Sequence, residues 1–268
     1  MIRERVISGA VIAVLLLATV LLLPPLWSAG ALSLILLVAA FEWSGFIDTH
    51  WTARRLAFLV LTGLACVLAW RVSATAQGLR AALWLALAFW TAMAAWVFVL
   101  PGKTGRPAVF ASGVLALSLA WMALVRMRID WPAGQEAVLY SLLIVWLADS
   151  GAYFAGRAWG VRKLAPQVSP GKTVAGLWGG VAACALLAAA VSAWRGPGMV
   201  SLVAITVVVG IYSVVGDLLE SHCKRFAGLK DSGTLIPGHG GVLDRFDSLL
   251  AAAPCLMLGL TVFGGGWR

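Results

Sequence analysis

Most of the chain's concentrated chemistry lies between residues 217 and 248. Asp217, Glu220, Ser221, Lys224 and Arg225 come first, then Lys230-Asp231-Ser232-Gly233, then Pro237-Gly238-His239-Gly240-Gly241, and last Asp244-Arg245-Phe246-Asp247. Five of the 11 acidic residues fall in this stretch, in a chain that is 62% hydrophobic. Charge of both signs packed this tightly between apolar segments points to a ligand that is both phosphorylated and metal-bound. Asp217, Glu220 and Lys224 are spaced i, i+3, i+7 and share one helix face. Asp217 still lies inside an apolar run, where a carboxylate is costly and functional by default; the plainer reading is an ion pair with Lys224 or Arg225 that ends the helix. Asp244 and Asp247 repeat the arrangement at the start of the last apolar run, where acidic groups also complement the helix dipole. Carboxylate oxygens from two helix ends, with room left for phosphate oxygens, suit Mg²⁺. Two such ions could stabilise the attacking and leaving oxygens of an in-line phosphoryl displacement. Lys224, Arg225, Lys230 and Arg245 could hold the phosphates, Arg by a fork and Lys as a point charge. His239 could be an acid–base group or a phosphate donor, and the sequence leaves both open.

A second constellation runs from Asp149-Ser150-Gly151-Ala152-Tyr153 to Ser169-Pro170-Gly171-Lys172-Thr173. Gly171-Lys172-Thr173 invites a P-loop reading, but the glycine required five residues earlier is Pro166; Gly102-Lys103-Thr104 fails the same test at Val97. Ser169, Lys172 and Thr173 could still bind phosphate where a helix begins, because free N–H groups there favour anions. Glu42, buried in an early apolar run, reads equally as a catalytic group or as a structural hydrogen-bonding group toward a neighbouring helix.

These residues need a scaffold, and composition defines it. A mean hydropathy of +0.95 with 12% charged residues excludes an ordinary soluble domain, which carries about 25% charged residues. Long continuous apolar runs exclude a β-barrel, whose strands alternate, and lipid forces spanning backbones into helices. The expected fold is therefore all-α, a polytopic integral membrane protein of about nine transmembrane helices. The runs occupy about 6–23, 30–47, 57–70, 82–100, 108–125, 138–155, 174–194, 199–219 and 248–265, the third being short for a span. The first run follows Arg3 and Arg5 and resembles a signal peptide, but it exceeds a signal core of about 7–15 residues, so a retained helix is expected. Many of the 14 Trp lie near run ends, as interfacial belts require. The four cysteines form no CxxC pair and indicate neither zinc nor a disulfide framework. No repeat or linker divides the chain, which reads as one membrane-embedded domain over 1–268, with N-terminal helices to about 130 and a catalytic part over about 138–265.

With the N-terminus inside, fourteen of the 20 Lys and Arg fall on the inner side, as the positive-inside rule favours. The loops expected at about 156–173 and 220–247 then face the cytoplasm, where nucleotides and magnesium are available. The net charge of +9 is scattered through short loops, which fits membrane orientation and anionic lipid headgroups and gives no reason to expect nucleic acid.

The signature Ser221-x-x-Lys224-Arg225, Lys230-Asp231-x-Gly233, Pro237 to Gly241, Asp244-Arg245-x-Asp247 resembles that of bacterial phosphatidate cytidylyltransferase, also called CDP-diacylglycerol synthase. Ala148-Asp149 to Tyr153, Ser169 to Thr173 and Glu42-Trp43 extend the resemblance over essentially the whole chain. It implies that CTP and phosphatidate react to give CDP-diacylglycerol and pyrophosphate, in a homodimer at the bacterial inner membrane, with Mg²⁺, alone or together with a second divalent ion or K⁺. On it, Asp217, Asp244 and Asp247 bind metal; with Lys224 and His239 they form the catalytic set. Ser169, Lys172, Thr173, Ser221, Arg225, Lys230, Asp231 and Arg245 contact the substrates. Two other readings compete: a CTP-dependent polyprenol kinase, opposed by the full signature, and a transporter using Glu42, Asp149 and Asp217, opposed by the lack of paired inverted halves.

Overall fold

The structure, a computed structural model, describes residues 2–100, 102–195, 200–235 and 240–263. Because a backbone in lipid can satisfy its polar groups only within itself, each apolar run closes into a helix. These are α1 Ile2–Leu21, α2 Pro25–Ile47, α3 Ala53–Val72, α4 Ala76–Val99, α5 Arg106–Asp130, α6 Gly134–Trp159, α7 Val174–Arg195, α8 Val200–Phe226 and α9 Leu243–Phe263. Eight of them, α2 to α9, are long and apolar enough to cross a membrane, whereas the apolar part of α1 is Gly9–Leu21. The protein is thus a polytopic all-α membrane protein.

Local chemistry sets the helix starts. Pro25 stands at the beginning of α2, where its missing N–H costs nothing. Thr52 and Thr75 cap α3 and α4 by accepting from the N–H of Arg55 and of Gly78, at 3.4 and 3.1 Å. The Thr52 cap explains why α3 is longer than its apolar run: Ala53, Arg54 and Arg55 form its first turn. Thr52 Oγ1 also donates to Asp48 Oδ2 at 2.8 Å. That bond, with Arg106 and Arg54 nearby, holds the Asp48 carboxyl below its usual range.

Two expected loops are shorter than hydropathy implied. α8 continues through Phe226 and α9 begins at Leu243, so Ser221, Lys224, Arg225, Asp244 and Asp247 are helical. The segment after α6 folds into a small antiparallel hairpin, β1 Lys163–Ala165 with β2 Ser169–Thr173, in which Lys163 pairs with Thr173 and Ala165 with Ser169.

α5 and α9 form the centre. Of their spans 67% and 72% is buried, against 11% for the peripheral α3. The described tryptophans range from exposed to wholly buried. Trp27, Trp51, Trp159, Trp178 and Trp194 are exposed, as an interfacial belt requires, while Trp43 and Trp90 are wholly buried. Trp43 donates to Val109 O at 3.0 Å, its ring lying where any side chain on Gly113 would stand. Three arginines are consumed by the scaffold. Arg126 lies 3.5 Å over the Trp70 ring and donates to Ser73 Oγ at 2.9 Å. Arg128 reaches Leu23 O at 2.8 Å, and Arg55 reaches Ser44 Oγ at 3.0 Å.

α6 and α7 approach most closely through small residues, the packing lipid-embedded helices favour. A Cβ on Gly179 would stand 2.2 Å from Ala155 Cβ and 2.6 Å from Gly151 O. Gly179→Val should therefore force the helices apart and cost about 1–3 kcal/mol, read as a lowered Tm in detergent; Ala182→Val, at an exposed position of the same helix, serves as the control.

Candidate active site

The site forms where α8 ends and α9 begins. Gly216 brings these helices into contact: a Cβ there would lie 2.5 Å from Asp247 O and 3.2 Å from Ser248 Cα. Asp217 and Asp247 consequently stand on apposed faces, and with Asp149 from α6 they are close enough to repel one another. Lys172, carried by β2, provides opposing positive charge and pairs with Asp217 Oδ2. Ser221 Oγ donates to the other Asp217 oxygen at 3.2 Å, and the N–H of Ser248 donates to Asp247 Oδ1 at 2.6 Å. The ion pair considered for Asp217 with Lys224 or Arg225 does not form; among the described residues the partner comes from the hairpin, 45 residues earlier in the chain by residue number (217 − 172).

Lys224 has different partners. Its ammonium bridges Glu220 on its own helix and Asp244 Oδ1 on α9, the latter at 2.6 Å. Asp244 Oδ2 accepts from Ser232 Oγ and N, both at 2.9 Å, and from Gly241 N at 2.8 Å. Glu220 is fully buried, and its Oε1 has no hydrogen-bond partner among the described residues.

Glu42, from α2, completes the arrangement. Its carboxylate accepts from Val242 N at 3.0 Å, Leu243 N at 2.7 Å and Ser232 Oγ at 3.1 Å. These N–H groups belong to the start of α9, where free donors and the helix dipole favour an anion; Glu42 is a capping carboxylate supplied by another helix. The close approach explains two loop glycines. A Cβ on Gly241 would meet Glu42 Oε2 at 2.4 Å and Ser232 Oγ at 2.1 Å. Gly240, at φ +86°, adopts a backbone that side chains rarely tolerate.

Beside Asp217 opens a cleft of about 470 Å³ between α6, α7, α8 and the hairpin, with Asp149, Tyr153, Arg157 and Lys172 among its lining groups. Thr173 also lines it, but its hydroxyl accepts from Gly176 N at 3.0 Å and caps α7. Ser169 is half-buried at the start of β2. Arg225, Lys230, Asp231 and Arg245 are exposed. Arg225 donates to Leu229 O at 3.3 Å, and Arg245 lies within electrostatic reach of Asp149. Pro237, Gly238 and His239 lie outside the described residues.

Sequence reasoning gave no role to His222, which is buried and hydrogen-bonded through Nε2 to Thr104 Oγ1. Its ring meets Trp96 edge-on at 4.8 Å, and Trp96 donates to Lys103 O at 3.1 Å. The Gly102-Lys103-Thr104 turn is thereby fastened to α8. Its Walker-like look carried no such signal, because the tie depends on tertiary contact. Cys184, Cys223 and Cys255 are buried and Cys66 partly so, all as free thiols.

Among the described residues no three His, Cys, Asp or Glu converge into a ready-made metal cage. The donor chemistry nevertheless fits Mg²⁺, which keeps few protein ligands and completes its octahedron with water and phosphate oxygens. Asp149, Asp217 and Asp247 are hard donors whose mutual repulsion a cation relieves. Asp244 differs in its partners, the buried Lys224 on one oxygen and Ser232 with the Gly241 N–H on the other; serving a metal would require Lys224 to give way.

Fold and site together define an integral membrane protein with an acidic, lysine-bearing centre set at the ends of its spans. The sequence model of the cytidylyltransferase family matches residues 3–263, and the chain belongs to that family. It is 36% identical over 275 residues to the phosphatidate cytidylyltransferase of Pseudomonas aeruginosa, covering 100% of this chain and 99% of that protein. The phosphatidate cytidylyltransferase of Haemophilus influenzae is 35% identical, over 95% of this chain and 96% of its own length. That of Brucella suis is 40% identical, over 83% and 80%.

Removing the capping carboxylate leaves buried donors at the start of α9 unpaired. Glu42→Ala should cost about 1–3 kcal/mol, and Ser232→Ala, which leaves both backbone bonds to Glu42 intact, should cost less. Thermal denaturation of the two variants in one detergent checks the order.

Proposed function

We propose that this protein transfers the cytidylyl group of CTP to phosphatidate, giving CDP-diacylglycerol and pyrophosphate. The observation that carries this reading is the placement of Asp217, Asp247 and Lys172 beside a cleft at the ends of spanning helices. There a water-soluble nucleotide and a membrane lipid can reach the same atoms. A lipid phosphate oxygen attacks the α-phosphorus of CTP, the bond to the β-phosphate oxygen breaks, and pyrophosphate leaves. No covalent enzyme intermediate is needed, because positioning and charge neutralisation supply most of the catalysis.

Asp217 and Asp247, with Asp149 behind them, form the metal-holding face, and Asp244 joins it if Lys224 is displaced. Bound there, Mg²⁺ would neutralise phosphate oxygens on the triphosphate and on the attacking group. Lys224 is fixed between two carboxylates, oriented toward the α8–α9 junction. Lys230, Arg225 and Arg245, exposed around the same junction, hold the triphosphate, with Ser221 and Asp231 beside them. Ser169, Lys172 and Thr173 close the site from the hairpin side, and His239 belongs to the catalytic set as an acid–base group or phosphate donor. Fourteen of the 20 Lys and Arg lie on the side of these elements, which orients the site and the N-terminus toward the cytoplasm at the bacterial inner membrane. The working unit is a homodimer.

Purified protein with phosphatidate, Mg²⁺ and CTP labelled in the base should carry label into the lipid phase, with pyrophosphate released and the signal abolished by EDTA. Asp217→Asn should lower kcat by about 10²-fold or more, as loss of a transition-state charge partner does, while membrane insertion and Tm stay unchanged. Unlabelled lipid, with γ-phosphate instead appearing on a polyprenol, would reassign the protein as a lipid-alcohol kinase.

A further inference from the structure

The cleft beside Asp217 holds a cation that the proposed chemistry does not use. Lys172 is committed to Asp217. Arg157, the other lining cation, has no carboxylate within ion-pair distance among the described residues; its Nη1 instead donates to Tyr153 OH at 3.0 Å. Tyr153 and Arg157 are one helical turn apart on α6, so the phenol props the guanidinium at the rim. The lining also includes the apolar side chains of Leu164, Leu177 and Val214. An exposed guanidinium with no carboxylate partner, in a cleft that also presents apolar side chains at the end of three spanning helices, matches a ligand with an anionic head and an apolar body.

We infer that Arg157, propped by Tyr153, is the residue that recognises the phosphomonoester of the lipid substrate and sets the enzyme's preference for it over diester phospholipids. A guanidinium forms a bidentate pair with a phosphate, and a monoester, with three free oxygens and up to two charges, can satisfy that fork and still direct an oxygen at the reaction centre. A diester has two free oxygens and a single charge. The nucleotide is then left to the exposed cations of the α8–α9 junction, so the two substrates meet at Asp217 from opposite sides. This assignment rests on the cytidylyl-transfer reading.

Two measurements test it. In mixed micelles, Arg157→Gln should raise KM for dioleoyl phosphatidate by about tenfold or more, the loss of one charged hydrogen-bonded pair, with KM for CTP within about twofold of wild type on the same scale. Arg157→Lys should restore part of the loss, and Tyr153→Phe should give a smaller rise. An equal rise in KM for CTP would place Arg157 on the nucleotide, and no change in either KM would remove it from recognition; both outcomes overturn the inference. Binding of dioleoyl phosphatidate against dioleoyl phosphatidylglycerol in nanodiscs is read without turnover. Wild type should prefer the monoester and Arg157→Gln should not; equal preference in both proteins overturns the inference, even if the transfer assay itself fails.

Discussion

A buried lysine holds this site together. Lys224 lies among spanning helices, where an isolated ammonium is strongly disfavoured, and it is tolerated because Glu220 and Asp244 flank it. Removing one member of such a buried group leaves uncompensated charge, so the three residues operate as a unit. Since Asp244 also gathers Ser232 and Gly241, and Ser232 in turn reaches Glu42, the same group sets the course of the loop between α8 and α9. Helix packing gives the site its location, and this polar network gives it its geometry.

The network also separates two kinds of acidic residue that look alike in sequence. Glu42 accepts from two backbone N–H groups and a hydroxyl, the condition of a capping carboxylate, and Asp244 is held by Lys224, Ser232 and Gly241. Asp217 and Asp247 repel each other and Asp149, with Lys172 opposing them, which is the condition of a group that gains by meeting a cation. Gly216 creates this second situation by letting α8 touch α9.

Hydropathy alone located the helices α1 to α9 of the described residues, because a span has no other way to satisfy its backbone. It placed the ends of α3, α8 and α9 less well, since polar residues such as Arg54, Lys224 and Asp244 remain helical when capped or paired. The clustering of Asp217, Lys224 and Asp247 could be read from spacing. That Lys172 pairs with Asp217 could not, because the hairpin that delivers it depends on pairing between Lys163 and Thr173, which no periodicity announces. Glu42 stood out as a costly carboxylate, but its partners are backbone N–H groups, which look the same in every sequence. Trp43 and Trp90 show the converse error: a residue type expected at the interface fills the core where a glycine such as Gly113 makes room.

Glu42 and its backbone partners Val242 and Leu243 are 200 and 201 residues apart. Chains are made from the N-terminus at about 5–20 residues per second, so α2 leaves the ribosome tens of seconds before α9 exists. Through that interval the carboxylate lacks the donors that later enclose it, and only insertion of α9 supplies those of Val242 and Leu243. Insertion of α9 therefore completes both the core and the loop that precedes it. A chain interrupted before α9 leaves the Glu42 carboxylate without the backbone donors that enclose it in the finished fold.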